Sequence, residues 1–193
     1  MPSSKERKLK IRLLHYWLVS YRGGEHVLRE ISLLVRPDEC YAHLVEPDVA
    51  KKINPNCSFR ETCYASLPFA RRAYKVLFPF MYLASYLLPI SSVDLLISSE
   101  SGPVKGVRKK KGSLHICYCH SPFRILWAPA TWYRPVMGVF CRLLPLLRWP
   151  LRLIDRFTAR SVDCFIANSR YIQERIAKAY GRSSVVIHPP VDV

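Results

Sequence analysis

Two adjacent glycines, Gly23 and Gly24, stand where an apolar run ending in His15 gives way to a helical pattern. Without a Cβ, backbone N–H groups there can come close to a ligand. The helix that follows starts with a partial positive charge. The pair reads in two ways, as a phosphate site or as a tight strand-to-helix turn. It is not a G-x-G-x-x-G run, so no dinucleotide is implied. A second candidate is "HSPFR": His120 ends another apolar run, and a His there can donate to a ligand or shuttle a proton, or simply be structural. Arg124, close behind, can grip an anion through two nitrogens. In "HICYCH", His115, Cys117 and Cys119 share one face of a strand. That suits a metal, but no C-x-x-C pair and no spaced H-x-x-x-H accompanies it, and a buried strand carrying small thiols is favoured. No nucleophile elbow, Walker loop or pair of carboxylates at helical spacing occurs.

The elements that must position these residues alternate along the chain. Residues 9–15, 40–45, 57–63, 93–99, 113–119, 163–169 and 184–188 read as strands. Val27, Leu28, Ile31, Leu34 and Val35 recur as on an amphipathic helix, which Pro37 stops. Residues 68–88 read as mostly helical. A long basic and aromatic region, 132–160, is broken by Pro135, Pro145 and Pro150. Within it Arg152, Arg156 and Arg160 form a basic stripe, with Leu151, Ile154 and Phe157 on another face. Asn168 or Ser169 caps the next helix, whose C′ residue is Gly181. Strand and helix alternating in this way predict an α/β fold, a Rossmann-like, mostly parallel sheet with helices on both faces. In such sheets ligands bind at the carboxyl ends of strands. The loop after His15, "SSESGP", "HSPFR", "NSRY" and "HPPVD" therefore gather on one edge.

The chain is one domain of 193 residues, long enough to bury roughly 70% of its extended surface. Lys and Arg number 30 against 14 Asp and Glu, a formal charge of +16 that suits a polyanion: nucleic acid, an anionic membrane or a phosphorylated small molecule. Seven Cys, an odd number, and a charged start without an apolar segment behind it point to reduced thiols in a cytosolic protein. No stretch reaches the roughly 18 to 20 apolar residues that span a bilayer. The nearest, 76–90, reads as a buried helix or an interfacial one. Arg148, Trp149, Trp132 and Tyr133 suit the surface of an anionic membrane. No RNA-recognition signature, zinc finger or helix-turn-helix is visible, so nucleic acid is not favoured.

"HYWLVSYRGGEHVL", "VDLLISSESGPVKGV", "HICYCHSPFRILW", "DCFIANSRYIQERIAKAYGR" and "VVIHPPVDV", in this order, resemble the N-terminal domain of family 4 glycosyltransferases, most of all bacterial mannosyl- and rhamnosyltransferase-like members that build surface polysaccharide. The resemblance covers nearly the whole chain. It implies one half of a GT-B fold, in which two Rossmann-like domains face each other across a cleft. The implied reaction transfers a sugar from a nucleotide-sugar, with retention, to a lipid-linked saccharide acceptor, usually without a metal. The nucleotide-sugar is then the donor substrate, and no cofactor is expected. Gly23 and Gly24 would approach the donor diphosphate. His120 would contact the transferred sugar and help stabilise the transition state. Ser99, Arg124, Asn168 and Ser169 would line the acceptor side, and "HPPVD" would begin the crossover to the second domain. The donor domain's E-x7-E motif is not found. Glu30 comes nearest, and eight positions on stands Asp38. Ala128 also stands after Trp127 where close relatives are expected to carry an acidic residue. The expectation is a single acceptor-side domain over 1–193, working in the cytoplasm or peripherally at the inner face of the plasma membrane. It needs a separate C-terminal-domain polypeptide or is inactive alone, since half a cleft cannot orient its substrates. The alternative is a non-enzymatic basic module that binds an anionic membrane or nucleic acid.

Overall fold

The computed structural model describes residues 9–90, 93–129, 142 and 144–191. Seven strands form one parallel sheet: β1 (Ile11–His15), β2 (Glu39–Ala42), β3 (Ser58–Glu61), β4 (Leu95–Glu100), β5 (Leu114–Cys119), β6 (Cys164–Ala167) and β7 (Val185–Val186). Their spatial order is β3-β2-β1-β4-β5-β6-β7. The helices are α1 (Gly23–Val35), α2 (Pro47–Ile53), α3 (Ala70–Ala73), α4 (Pro79–Leu87), α5 (Arg124–Trp127), α6 (Leu144–Thr158) and α7 (Arg170–Tyr180). The α/β fold expected from the sequence is the fold observed.

Strand alternation sorts the core into two layers. Leu13, Cys40, Ala42 and Ile97 pack with Leu28 of α1 and with Val49 and Ile53 of α2. Leu14, Tyr41 and Leu96 turn to the other face, against Leu88, Val93 and Val104. On that second face Phe78 and Met81, at and within the start of α4, share a cluster with Leu144 and Leu151 of α6. Cys117 and Cys119 are fully buried there too, against Phe165 and the inner side of α7. Among the described residues no group of His, Cys, Asp or Glu is placed to hold a metal ion.

Several elements differ from the sequence reading. Residues 47–53 form α2, started by Pro47 at its first position, where the missing N–H has no intrahelical acceptor to lose. The helical stretch 68–88 splits into α3 and α4, and Pro79 begins the second. Pro145 and Pro150 do not break their region. Pro145 lies in the first turn of α6, and Pro150 is carried in its interior. The carbonyl that Pro150 leaves without a partner belongs to Leu146, a residue 76% exposed, so water can satisfy it. Trp132, Tyr133 and Pro135 lie outside the described residues. The basic stripe is also corrected. Arg152 Nε donates to Leu126 O and Arg156 Nε to Ala179 O, and both guanidinium groups lie over the Trp127 ring. α7 is capped as expected: Ser169 Oγ accepts from Ile172 N, and Gly181 takes a left-handed φ of 66°.

A fully buried ion cluster ties α6 to the sheet. Lys105 Nζ donates to Glu100 Oε1 and to Asp155 Oδ1, each at 2.6 Å, and Trp127 Nε1 donates to Asp155 Oδ2 at 2.6 Å. One cation faces two carboxylates. Burial therefore pushes Glu100 up to about 7, although Lys105 pulls the other way. Removing one member of such a cluster strands the others without water. Lys105→Met is expected to cost about 3–5 kcal/mol in urea unfolding. Neutralising Glu100 and Asp155 in the same variant should recover part of that loss.

Candidate functional site

The chain leaves β1 toward β2 on one side and β4 toward β5 on the other, so a crevice opens where the strand order reverses. His15 and Ser99, the facing residues there, are in register. A cavity of about 470 Å³ lies at this point, lined among others by Gly23, Gly24, His120, Arg124, Asn168 and Pro189. A second lobe of about 470 Å³ adds Trp17, Arg22, Tyr74 and Lys75, and shares Tyr16, both glycines and Arg124 with the first.

Neither glycine is required by a left-handed φ. What separates them is space. A Cβ on Gly23 would meet nothing within 4 Å, so this position opens onto the cavity it lines. A Cβ on Gly24 would stand 3.0 Å from Tyr16 Oη and 3.8 Å from His120 Nε2. Both residues belong to the first turn of α1 rather than to a loop before it. The amides of a first turn have no acceptor within the helix. Arg22 and Lys75 add positive charge at the rim.

Behind the cavity wall runs a buried relay. Glu25 Oε2 accepts from Arg22 N at 2.9 Å, and its Oε1 lies 3.5 Å from His15 Nε2. That last distance marks an ion–dipole contact rather than a formed hydrogen bond. His15 Nδ1 is 3.1 Å from Ser99 Oγ, which is 2.8 Å from His120 Nε2. The negative charge of the carboxylate favours the His15 proton on Nε2, the nitrogen that faces it. Ser99 Oγ then donates to His15 Nδ1 and accepts from His120 Nε2, so Nδ1 of His120 is left as an acceptor. Burial works against the Glu25 carboxylate, but His15 and the amides of the first turn hold it below its ordinary value. Burial, and then the neighbouring His15, lowers His120 to about 3. Burial likewise lowers His15 and, helped by Glu25, raises the Tyr16 hydroxyl. At neutral pH both imidazoles are uncharged and Tyr16 keeps its proton.

Of the residues singled out in the sequence, Gly23, Gly24, His120, Arg124 and Asn168 meet at this cavity. Asn168 Nδ2 donates to His120 O at 3.2 Å and so braces the same turn. Arg124 Nε is held by Ser121 Oγ at 3.2 Å. Ser99 and Ser169 stand elsewhere. Ser99 is 1% exposed and sits behind His120 rather than on the wall. Ser169 spends its hydroxyl on the α7 cap and on Asn168. Pro189, Pro190 and Val191 reach the cavity, and Asp192 lies outside the described residues. Tyr16, Glu25 and the part played by His15 were missed. Their one sequence signal is that His15 closes the first strand after two leucines and that Ser99 falls in the polar end, Ser98 to Glu100, of a strand that begins Leu-Leu-Ile.

A sequence model of the family described as Glycosyltransferase Family 4 matches residues 21–193. Two solved structures of Anabaena Alr3699/HepE share the fold. The one in complex with UDP and glucose aligns with TM-score 0.55 and 11% identity, covering 96% of this chain and 45% of that one. The one in complex with UDP-glucose gives 0.53 and 14%, covering 94% and 44%. This chain thus spans less than half the length of either. No curated protein matches the sequence.

The relay fixes the protons it carries. In ¹⁵N NMR of the imidazoles, His120 should show its proton on Nε2, and Ser99→Ala should turn that single state into a tautomer mixture while the fold persists. Acid should act on the same groups. His15, His43, His115 and His120 are all held below the ordinary 6.5, the last three to about 4, 3 and 3. The unfolded chain takes up these protons first, so the stability these imidazoles contribute is full above pH 6.5 and falls as pH drops below it. Urea midpoints measured from pH 7.5 to 4.5 should decline, since on unfolding the four imidazoles take up protons against the single one that Glu100, raised to about 7 in the folded chain, gives back. A midpoint that stays flat across that range would refute the neutral assignment.

Proposed function

Because the chain belongs to glycosyltransferase family 4, we propose that it supplies the acceptor-side wall of a cleft in which a sugar passes from a nucleotide-sugar to a lipid-linked saccharide during surface polysaccharide synthesis. The observation that carries this reading is convergence. Five residues from three stretches of the sequence, Gly23, Gly24, His120, Arg124 and Asn168, border one cavity at the topological switch point.

Each does a distinct physical task in the proposed reaction. The bare first turn at Gly23 and Gly24 receives the donor diphosphate, through its amides and the positive end of α1. Arg22 and Lys75 add charge where the leaving nucleotide diphosphate gathers its own. His120 stays neutral and offers hydrogen-bonding capacity to the sugar without a competing positive charge. Its imidazole is held by Ser99 from behind and by the turn that Asn168 braces. Arg124 faces the acceptor side. The donor's remaining contacts come from a second wall, in another domain or a companion polypeptide. A lipid-linked acceptor brings the protein to the inner face of a membrane, and the net charge of +16 suits an anionic one.

One wall binds its ligand weakly, so amide chemical shifts suit the test. Millimolar UDP-glucose or GDP-mannose should move the signals of Gly23, Gly24 and His120 together. Gly23→Ala, whose methyl enters only open space, should leave the melting temperature unchanged and weaken the response several-fold. Gly24→Val, which collides with Tyr16, should abolish it. Shifts spread over the basic surface and indifferent to both substitutions would instead mark a non-enzymatic polyanion binder.

A further inference from the structure

α4 and α6 lie on one face of the sheet and bury their inner sides in a common core, yet their outer sides are apolar as well. Leu146, Trp149, Leu153 and Phe157 recur at helical spacing along α6, and Trp149 is 70% exposed. Leu83 and Leu87 do the same on α4. Exposed large hydrophobics of this kind are ordinary singly but not in a row along each of two helices.

The surrounding charge is of one sign. Between Glu61 and Asp155 the sequence holds two acids, Asp94 and Glu100, against thirteen Lys and Arg. Glu100 is buried with Lys105, and Asp94 accepts from Lys10 N at the start of β1. Neither α4 nor the outer side of α6 carries an exposed carboxylate. Arg108 reaches over the Tyr86 ring of α4 at 4.6 Å, and Lys110 and Lys111 beside it are exposed. Arg160 lies over Phe157 at the far end of α6.

We propose that the outer faces of α4 and α6, with the basic loop 107–112, form a docking surface for an anionic lipid bilayer. The apolar stripe enters the boundary between headgroups and acyl chains, and the Arg and Lys rim meets the lipid phosphates. No helix among the described residues is long and apolar enough to cross a membrane. Other occupants fit less well. A second copy would press two acid-free basic rims together. Nucleic acid would pair with the rim but leave the leucines in water. A second catalytic wall belongs over the strand ends, not on the helical layer. The inference deepens the membrane part of the transfer reading by naming the surface, and vesicle binding and nucleotide-sugar shifts are separate measurements, so either can fail without the other.

Flotation of the full chain with vesicles of phosphatidylcholine, with and without phosphatidylglycerol, tests it. Binding should require phosphatidylglycerol and weaken with salt. Trp149 fluorescence should shift to the blue and be quenched by brominated acyl chains, and the quenched component should vanish in Trp149→Phe. Leu153→Ser with Phe157→Ser, both at exposed sites, should leave the melt intact and lower vesicle affinity about tenfold or more. Lys110→Glu with Lys111→Glu should also lower it, whereas His120→Ala should not. Failure to float overturns the proposal. So does flotation that the charge variant abolishes and the serine variant leaves unchanged, since adsorption would then be electrostatic alone. A dimer dispersed by the serine variant, or duplex DNA binding lost with it, would assign the face to those partners instead.

Discussion

The parallel pairing of β1 with β4 sets His15 opposite Ser99, and the rest of the site is arranged around that pair. A shift of one residue would turn Ser99 to the opposite face of the sheet. In the observed register, Ser99 Oγ falls between two imidazoles, His15 on its own side and His120 at the end of the next strand. β5 pairs with β4 up to Glu100 and Cys119, and His120 N then donates to Glu100 O at 2.8 Å, so His120 is fixed by the last rung of the ladder. The first turn of α1 closes the arrangement from above, with Glu25 on His15 and the bare Gly24 against Tyr16 and His120.

A second dependence runs through the buried ion cluster. Asp155 accepts from both Lys105 Nζ and Trp127 Nε1. Trp127 closes the short helix α5, whose first residue is Arg124, and Arg152 donates back to Leu126 O in the same turn. The position of Arg124 at the cavity thus depends on a lysine on the other side of β5. Burying an ionic group here is a poor way to gain stability, since apolar residues of equal volume often do as well. What the cluster adds is direction. An ammonium with three donors and a carboxylate with two oxygens hold α5, α6 and β4 at fixed angles, which a greasy contact does not.

The sheet was legible because period and apolarity carry it: short runs of Leu, Ile, Val and Cys between helical patterns leave few other folds. The sites at strand ends were legible for the same reason, and His120, Arg124 and Asn168 do converge. The prolines of α6 misled because the rule against them assumes that a lost hydrogen bond is costly, and Pro150 frees a carbonyl on an exposed residue. Arg152 and Arg156 misled because spacing fixes a helix face but not its orientation. Their partners, Leu126 O, Ala179 O and the Trp127 ring, lie far away in sequence. The Ser99 relay was hidden likewise, since its members are 84 and 21 residues apart.

Orientation also relates the cleft to the proposed docking face. A helix that joins two parallel strands must run back along the sheet, so it begins near the edge where strands end. α4 precedes β4 and α6 precedes β6, and both therefore start at the cleft side and descend from it. Leu146, near the start of α6, stands at the border between the two surfaces. A protein lying on a bilayer by these helices would hold its cleft edge beside the headgroups. On the proposed function, an acceptor anchored by a lipid tail would reach His120 without leaving the membrane, and the search for it would be confined to two dimensions. That gain would be one of proximity, and it would require no contact between the cavity residues and the lipid.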